Sequence, residues 1–362
     1  MGYDHLDVCG ELGQRICEEE ALKRVLISGA LGLVGSAAVR YYLNEAWQVM
    51  GVDNDMRKHF FGPEASVVKN RIDHPNYTHL GCDMASKEVE AVFESWKPDV
   101  IIHAGAQPSH DFSAQNPLLD FGTNAFATLM LLEMTRKHVP DAIFIYLSTN
   151  KVYGELNPIL HDGYEVDLQE NETRYEVYFG TELYRGIGED TVSVDQTTHS
   201  PFGVSKLTGD LYAQEYARYF GIRTGIFRCG CITGAAHSGA ELHGFLSYMA
   251  RCKKQGTPYR VYGYKGKQVR DQIHASDLVR AIDCFVRNPR PGEVYNMGGG
   301  RHCNVSVLEA LNFLKIKDWE YIEQARKGDH IWYISDVTKF KTDYPEWDYK
   351  YNLWAIMEDL MR

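Results

Sequence analysis

Short apolar runs alternate, over the first two thirds of the chain, with longer stretches in which apolar residues recur every three or four positions. Short apolar runs are typical of strands buried on both faces, and the longer period is typical of amphipathic helices. Strands are predicted at Arg24–Ser28, Gln48–Asp53, Tyr77–Leu80, Val100–His103, Ile143–Ser148 and Thr224–Arg228. Helices are predicted at Ser36–Asn44, Lys87–Trp96, Pro117–His138 and Pro201–Phe220. The alternation predicts a Rossmann-type α/β fold with a doubly wound parallel sheet.

The pattern becomes less regular after about Gly230. Short strands are predicted at Arg260–Tyr262 and Glu293–Asn296, and helices at Ser276–Arg287 and Ser306–Lys315. We therefore expect three parts: an N-terminal extension at 1–22, a sheet domain at 23–229, and a smaller substrate-binding C-terminal lobe at 230–362. Some segments of the lobe are expected to return to the sheet.

Composition narrows the classes of function. The chain has 362 residues and a formal net charge of −11, which argues against nucleic acid as the main partner. Its eight cysteines include no C-x-x-C pair, so we expect reduced thiols and no metal site. The first twenty residues are acidic and no apolar run approaches about 18 residues, so we expect a cytoplasmic protein without a membrane span.

The first strand leads into a glycine turn, Gly29-Ala30-Leu31-Gly32-Leu33-Val34-Gly35, which opens a helix. Glycines in such a turn let the backbone approach a pyrophosphate, which the helix N-terminus attracts. Asp53 ends the second strand, where a carboxylate binds ribose hydroxyls and repels a 2′-phosphate, so the sequence predicts NAD. Arg57 lies close by in sequence and makes the distinction between NAD and NADP less sharp. The alternative to dinucleotide binding is a purely structural glycine turn beside a solvated Asp53.

Several motifs together resemble the extended short-chain dehydrogenase/reductase family. They are the glycine turn, His103-Ala104-Gly105-Ala106, Asn124 before Leu131-Leu132-Glu133, Ser148-Thr149, Val152-Tyr153-Gly154 and Lys206. Three narrower stretches resemble its CDP-tyvelose (CDP-paratose) 2-epimerase branch. They are Asn150-Lys151, Glu172-Thr173-Arg174-Tyr175 and Gly266-Lys267-Gln268-Val269-Arg270-Asp271 followed by His274. The resemblance extends from about Val25 to Ile334.

The resemblance implies a tightly held NAD that removes a hydride from a sugar carbon and returns it to the opposite face. The implied substrate is a nucleoside-diphosphate sugar, with a CDP-sugar favoured, bound between the sheet and the C-terminal lobe. The implied cofactor contacts are Gly29, Leu31, Gly32, Leu33, Val34, Gly35, Asp53, Asn54, Arg57, Asp83, Met84, His103, Ala104, Gly105, Ala106, Asn124 and Lys206. The implied substrate contacts are Gln107, Thr149, Asn150, Lys151, Arg174, His199, His243, Arg270 and Arg301. Asp329 and His330 are further candidates for the wall of this site.

The catalytic group departs from the family at one position. Ser200 and Pro201 suit the start of a helix, and positions 202 and 206 share one face of it. The family has a tyrosine base and a lysine at these two positions, with a hydroxyl at the position of Thr149. This chain has Phe202, which has no ionisable proton, and a lost general base costs about 10²–10⁴ in rate.

Three explanations of Phe202 stay open: an engineered variant, a natural enzyme with another base, and a binding protein without turnover. Candidates for another base are Lys206, His199, Tyr178 and Lys151. Family 4,6-dehydratases have Asp and Glu where this chain has Asn150 and Lys151, which disfavours dehydration.

Other activities on this scaffold also stay open: 4-epimerisation, dehydration or dehydrogenation of a nucleotide sugar. A protein that only binds NAD or a sugar nucleotide, without turnover, is a further alternative. Arg270 suits a diphosphate, although it could instead pair with Asp271.

In relatives, the helices at Pro117–His138 and Pro201–Phe220 pair with their copies in a homodimer, although packing on the sheet demands a similar pattern.

Overall fold

The computed structural model describes residues 23–156, 159–161, 164–195, 197–241 and 243–362, so the predicted extension at 1–22 lies outside the described residues. A parallel sheet of seven strands forms the centre of the fold. In spatial order its strands are Glu293–Met297, Arg223–Cys229, Ile143–Thr149, Val100–His103, Arg24–Ser28, Gln48–Val52 and Tyr77–Leu80. This arrangement confirms the predicted Rossmann-type fold.

Both faces of this sheet are buried, which explains the unbroken apolar runs of its strands. In Arg24–Ser28, Val25 and Ile27 point into one core cluster, and Leu26 points into the cluster on the opposite face. All three side chains are 0% exposed.

Helices cover the two faces. Leu33–Asn44 and Ala275–Arg287 pack on the first face, and Lys87–Ser95, Ala127–His138 and Pro201–Phe220 pack on the second. Shorter α-helices lie at Arg57–Phe61, His110–Gln115, Pro117–Phe121 and Thr338–Asp343. Turns of 3₁₀ helix lie at Pro63–Ala65, Val68–Asn70, Asn150–Tyr153, Glu182–Arg185 and Tyr264–Gly266.

The helix predicted as continuous from Pro117 to His138 is interrupted. A π-helical turn, Gly122–Phe126, separates its first segment from Ala127–His138. The turn contains Asn124, whose side chain is held by Gln107 from outside the helix at 2.8 Å. Such π-turns insert one extra residue and are frequent near functional sites.

A smaller C-terminal lobe rests at the carboxyl edge of the large sheet. Its four-stranded sheet consists of Cys231–Thr233, Val269–His274, Asn304–Ser306 and Trp332–Tyr333. Paired short strands lie at Tyr259–Tyr262 with Trp319–Ile322, at Leu160–His161 with Tyr164–Glu165, and at Leu168–Glu170 with Tyr175–Val177. Its helices are Phe245–Gln255, Val307–Phe313 and Leu353–Met361. Among the described residues, no helix combines the length and the apolar character needed to cross a membrane.

Candidate active site

The glycine turn lies where the strand order of the large sheet reverses, between Arg24–Ser28 and Val100–His103. Ligands of open α/β sheets bind in the crevice at this point. Gly29 has a φ of +68°, and a Cβ there would lie 2.6 Å from the backbone nitrogen of Gly105. Glycine is therefore required for the two loops to meet.

The turn also brings the first helix, Leu33–Asn44, close to the strand. A Cβ on Gly35 would lie 2.0 Å from the carbonyl oxygen of Gly29. Gly32 is the N-cap residue, and the first turn of the helix contains no acidic side chain. The free N–H groups and the positive end of the helix dipole therefore face the crevice and favour a phosphate group.

Asp53 is held at the edge of this crevice by two backbone donors. Its carboxylate accepts hydrogen bonds from the N–H groups of Leu31, at 3.0 Å, and Asp55, at 2.8 Å. Burial raises the pKa of Asp53. Arg57 donates to the Ser238 carbonyl oxygen at 2.6 Å and lies over the Phe61 ring.

One cavity of about 480 Å³ joins this crevice to the C-terminal lobe, a size typical of small-molecule sites. Most of the residues predicted to bind cofactor or substrate line it. They are Gly29, Gly32, Leu33, Val34, Gly35, Asp53, Asn54, Arg57, Asp83, Met84, Ala104, Gly105, Ala106, Thr149, Asn150, Lys151, Phe202, Lys206, His243 and Arg270.

Three predicted residues lie behind the cavity wall in a buried network. His103 contacts the Ser28 hydroxyl through Nδ1, at 2.7 Å, and the Thr128 hydroxyl through Nε2, at 2.9 Å. The Asn124 amide exchanges hydrogen bonds with the backbone of Gln107, at 2.8 and 2.9 Å. Their polar groups are satisfied within the protein, so the network supports the loop after Val100–His103.

Arg174 and Arg301 lie in a different cluster. Both form ion pairs with Glu176, at 3.6 and 3.0 Å, and Arg301 also stacks on Tyr184 with a distance of 4.1 Å to the ring centroid. His199 bonds to two backbone carbonyls, those of Thr197 and Val152, at 3.0 and 2.9 Å. None of these three predicted substrate contacts is among the described residues that line the cavity.

The catalytic group meets at the junction of strand and helix. The Thr149 hydroxyl caps the 3₁₀ turn Asn150–Tyr153 by accepting the Lys151 N–H at 3.3 Å. Ser200 caps the long helix Pro201–Phe220 by accepting the Gly203 N–H at 3.1 Å.

Lys206, on the second turn of that helix, is 4% exposed, and its ammonium lies 4.2 Å from the Tyr146 ring centroid. Burial lowers the pKa of Lys206 to about 8.

Three charged side chains form a second group on the cavity wall. Asp329 lies 2.6 Å from the Arg270 guanidinium and 3.5 Å from the Lys151 ammonium. Burial alone would raise the pKa of Asp329, but Arg270, Lys151 and Arg326 together hold it well below its usual range. The pKa of Lys151 is lowered to about 8, chiefly by burial. Because two cationic side chains surround one carboxylate, this part of the cavity wall carries a net positive charge.

The structure adds wall residues that the sequence analysis did not select, among them His110 and Arg326. His110 follows the His103–Ala106 motif by a few residues, so its position past the carboxyl end of a strand was the available signal. Its approach to Phe202, with ring centroids 5.2 Å apart, depends on how a loop packs against a distant helix.

One predicted residue and one cluster of possible metal ligands lie outside the cavity. Tyr178, a candidate base, is 49% exposed and is not among the described residues lining the cavity. Away from the cavity, Glu90, Glu94 and His138 place potential ligand atoms within 4.8 Å of one another. Exposed acidic groups often gather without an ion, so this cluster carries no assignment.

Comparison with known proteins identifies relatives along most of the chain. The model of the NAD dependent epimerase/dehydratase family matches residues 25–298. A CDP-paratose 2-epimerase from Salmonella typhi is 29% identical over 343 residues, 90% of this chain and 95% of the relative. A dTDP-glucose 4,6-dehydratase from Salmonella typhimurium is 28% identical over 327 residues, 86% of this chain and 82% of the relative.

Solved structures share the fold. A UDP-glucose 4-epimerase from Thermotoga maritima, solved with UDP-glucose, has a TM-score of 0.75 at 24% identity, covering 93% of this chain and 97% of its own. A UDP-glucuronic acid 4-epimerase from Bacillus cereus, solved with UDP-glucuronic acid and NAD, has a TM-score of 0.74 at 20% identity, covering 93% and 98%.

Proposed function

Since the chain belongs to the NAD dependent epimerase/dehydratase family, and NAD is therefore its cofactor, we propose that it is a nucleotide-sugar epimerase similar to the CDP-paratose 2-epimerases. The proposed reaction inverts one ring carbon without net oxidation. The observation that carries the proposal is one continuous cavity lined by the glycine turn, Thr149, Lys206 and Arg270.

The residues around the glycine turn fit an adenine dinucleotide. The free N–H groups at the start of Leu33–Asn44 suit its pyrophosphate, and the Asp53 carboxylate suits its adenosine ribose. The crevice leaves no room for side chains at Gly29 and Gly35. NAD, when bound, supplies a hydride acceptor and donor. Lys206 holds its positive charge where the nicotinamide ribose is expected.

Arg270, from the C-terminal lobe, and Lys151, which follows the strand Ile143–Thr149, would bind the sugar nucleotide. A guanidinium presents a planar fork of donors that matches a diphosphate. Arg270 already bonds to Asp329 at 2.6 Å, so the carboxylate fixes its orientation before a ligand arrives. Thr149, across the cavity, would donate its hydroxyl hydrogen to an oxygen of the sugar ring.

Asn150 and Lys151 favour epimerisation over dehydration. Both line the cavity directly after Thr149, where related dehydratases have an acid and a base. An amide cannot exchange a proton in catalysis, and the Lys151 ammonium already donates to the Gly328 carbonyl oxygen at 3.0 Å. Elimination of water therefore has no carboxyl group in this position.

The test uses the full chain with NAD and CDP-paratose. The expected result is CDP-tyvelose, identified by proton NMR, with NAD retained on the protein. A dehydrogenase would release reduced dinucleotide in proportion to substrate, and a dehydratase would form a 4-keto-6-deoxy sugar. Either product contradicts the proposal, as does failure of both CDP-paratose and UDP-glucose to bind.

We also propose a homodimer formed by the helices at 117–138 and 201–220. These segments carry eight of the exposed large apolar side chains. They are Leu118, Phe121, Phe126, Val204, Leu211, Tyr212, Tyr219 and Phe220. A concentration of exposed apolar groups marks an interaction surface.

Six described cysteines are free thiols, which agrees with a proposed location in the reducing cytoplasm.

A further inference from the structure

An ionisable side chain, His110, lies next to Phe202 on the wall of the cavity. Phe202 is 6% exposed, and its ring meets the His110 imidazole edge to face, with centroids 5.2 Å apart. A phenyl ring can neither accept nor release a proton. Both side chains line the cavity, so the imidazole stands beside the position from which a tyrosine would act.

Ser113 links the backbones of Phe202 and His110. Its buried hydroxyl accepts the backbone N–H of Phe202 at 3.1 Å and donates to the backbone carbonyl of His110 at 2.7 Å. Ser109 caps the helix that begins at His110 by accepting the Phe112 N–H at 3.2 Å. These hydrogen bonds hold the backbone that carries the His110 imidazole next to that of Phe202.

One nitrogen of the His110 imidazole has no hydrogen-bond partner among the described residues. Its Nδ1 is buried and makes no hydrogen bond there. Buried polar atoms are nearly always paired, so the unpaired Nδ1 shows that the described residues do not complete the hydrogen bonds of this ring. Burial, followed by the positive charge of Lys151, lowers the pKa of His110 to about 3. The ring is thus neutral and keeps a lone pair at neutral pH.

Three other titratable groups of the cavity, Lys151, Asp329 and Cys231, are occupied or in the wrong protonation state. Lys151 is bound by Gly328 and Asp329, at 3.0 and 3.5 Å, and its ammonium already carries its proton below a pKa of about 8. Asp329 is neutralised by Arg270 at 2.6 Å. Burial raises the pKa of the Cys231 thiol to about 11.

We propose that His110 replaces the family's tyrosine as the group that takes the proton of the sugar hydroxyl. This inference rests on the proposed function. The hydroxyl O–H bond breaks as an N–H bond forms on the imidazole, and the freed electron pair makes the carbonyl. The C–H bond at the same carbon breaks, and its hydride passes to the oxidised nicotinamide dinucleotide. For the return, the hydride goes back to the opposite face of the carbonyl carbon while the imidazolium gives its proton to the oxygen.

The test compares four forms of the full chain: wild type, His110→Gln, His110→Gln with Phe202→Tyr, and the control His138→Gln, which lies away from the cavity. Each is loaded with NAD and mixed rapidly with CDP-paratose, and reduction of the bound dinucleotide is followed by its absorbance. Calorimetry measures CDP-paratose binding separately. His110→Gln should slow reduction about 10²–10⁴-fold, as expected for loss of a general base, while binding stays unchanged.

Adding Phe202→Tyr to His110→Gln should recover most of the lost rate, because a phenol then occupies the same place, and His138→Gln should behave as wild type. In wild type, ring signals of His110 in the NMR spectrum should shift when CDP-paratose is added. A His110→Gln rate equal to that of wild type overturns the role of His110 and leaves the epimerase proposal intact. A loss that calorimetry traces to weaker binding also overturns it. A wild type that binds CDP-paratose but never reduces its NAD overturns both.

Discussion

The charged residues of the cavity are buried to an extent that changes their chemistry. Lys206 and Lys151 both have pKa values lowered to about 8, because burial penalises the charged ammonium. The pKa of Asp329 is also lowered, but for a carboxyl group this favours the charged form, which Arg270 and its cationic neighbours stabilise. Such shifts are frequent where a protein binds an anion or transfers a proton.

Phe202→Tyr provides a sharp test at a single residue. If His110 is the proton acceptor, a phenol beside it is redundant, and the rate of NAD reduction by CDP-paratose should change less than about tenfold, or about 1.4 kcal/mol in barrier. A single-turnover measurement on wild type and Phe202→Tyr checks this. A gain of about 10² or more would instead mean that the phenylalanine disables the enzyme.

Binding of the sugar nucleotide should depend on pH through Lys151. Its ammonium is charged below about pH 8 and neutral above, so the affinity for CDP should fall as pH rises through about 8. Calorimetry with CDP across this range measures the effect. Lys151→Gln should weaken binding and remove most of the pH dependence, whereas Lys206→Gln should retain it. An affinity that does not change across this range in wild type contradicts the role given to Lys151.

At the scale of elements, the strands of the large sheet were the most predictable part. Strands buried on both faces appear as unbroken apolar runs, so Arg24–Ser28 and Val100–His103 were predicted to the residue. The bounds of the edge strand Tyr77–Leu80 were also predicted to the residue, although its burial is only partial. Pro201–Phe220 was equally clear, since Pro201 starts it and Gly221 ends it in a left-handed conformation. The π-turn at Gly122–Phe126 had no local signal, because contacts from a distant loop hold Asn124 there.

The candidate site was predictable where a motif dictates backbone geometry. The glycine turn and Asp53 lie on the cavity because a tight strand-to-helix connection puts them there. Arg174 and Arg301 were selected by resemblance, and they converge on Glu176 instead, since their lobe brings those segments together. The place of His110 beside Phe202 could not be predicted, because it depends on how the loop that carries His110 packs. Tertiary packing, which one sequence encodes only indirectly, decides such positions.

The glycine turn yields a prediction for the element as a whole. In Gly35→Ala the new methyl would lie 2.0 Å from the Gly29 carbonyl oxygen, so helix and turn must separate. We expect a loss of about 1–3 kcal/mol in the free energy of unfolding, together with loss of NAD from the purified protein. Denaturant unfolding and the nucleotide content measure the two effects.

Gly81→Ala is the matched control, because a Cβ there has no atom within 4 Å. Its stability and NAD content should equal those of wild type. Equal NAD content in Gly35→Ala and Gly81→Ala would contradict the placement of the dinucleotide at the turn.

At the scale of the whole molecule, the apolar side chains on 117–138 and 201–220 predict assembly. Phe126 and Leu211 are 51% and 49% exposed in the single chain. Replacing both by Glu should convert a dimer into a monomer in light scattering, because charges cannot be buried unpaired in a symmetric contact. Trp319→Glu, on the C-terminal lobe, should leave the dimer unchanged. A wild-type monomer, or a dimer that survives both substitutions, contradicts this interface.

In the proposed reaction a hydride leaves a sugar carbon and returns to the same carbon within one cavity. The most direct measurement uses CDP-paratose with deuterium at C2, the full chain and NAD, in ordinary water. We expect that CDP-tyvelose keeps its deuterium at C2 and that none enters the solvent or a free dinucleotide pool. Hydrogen from water at C2 of the product would contradict it, because the carbon would then have lost a proton to a base and not a hydride to NAD.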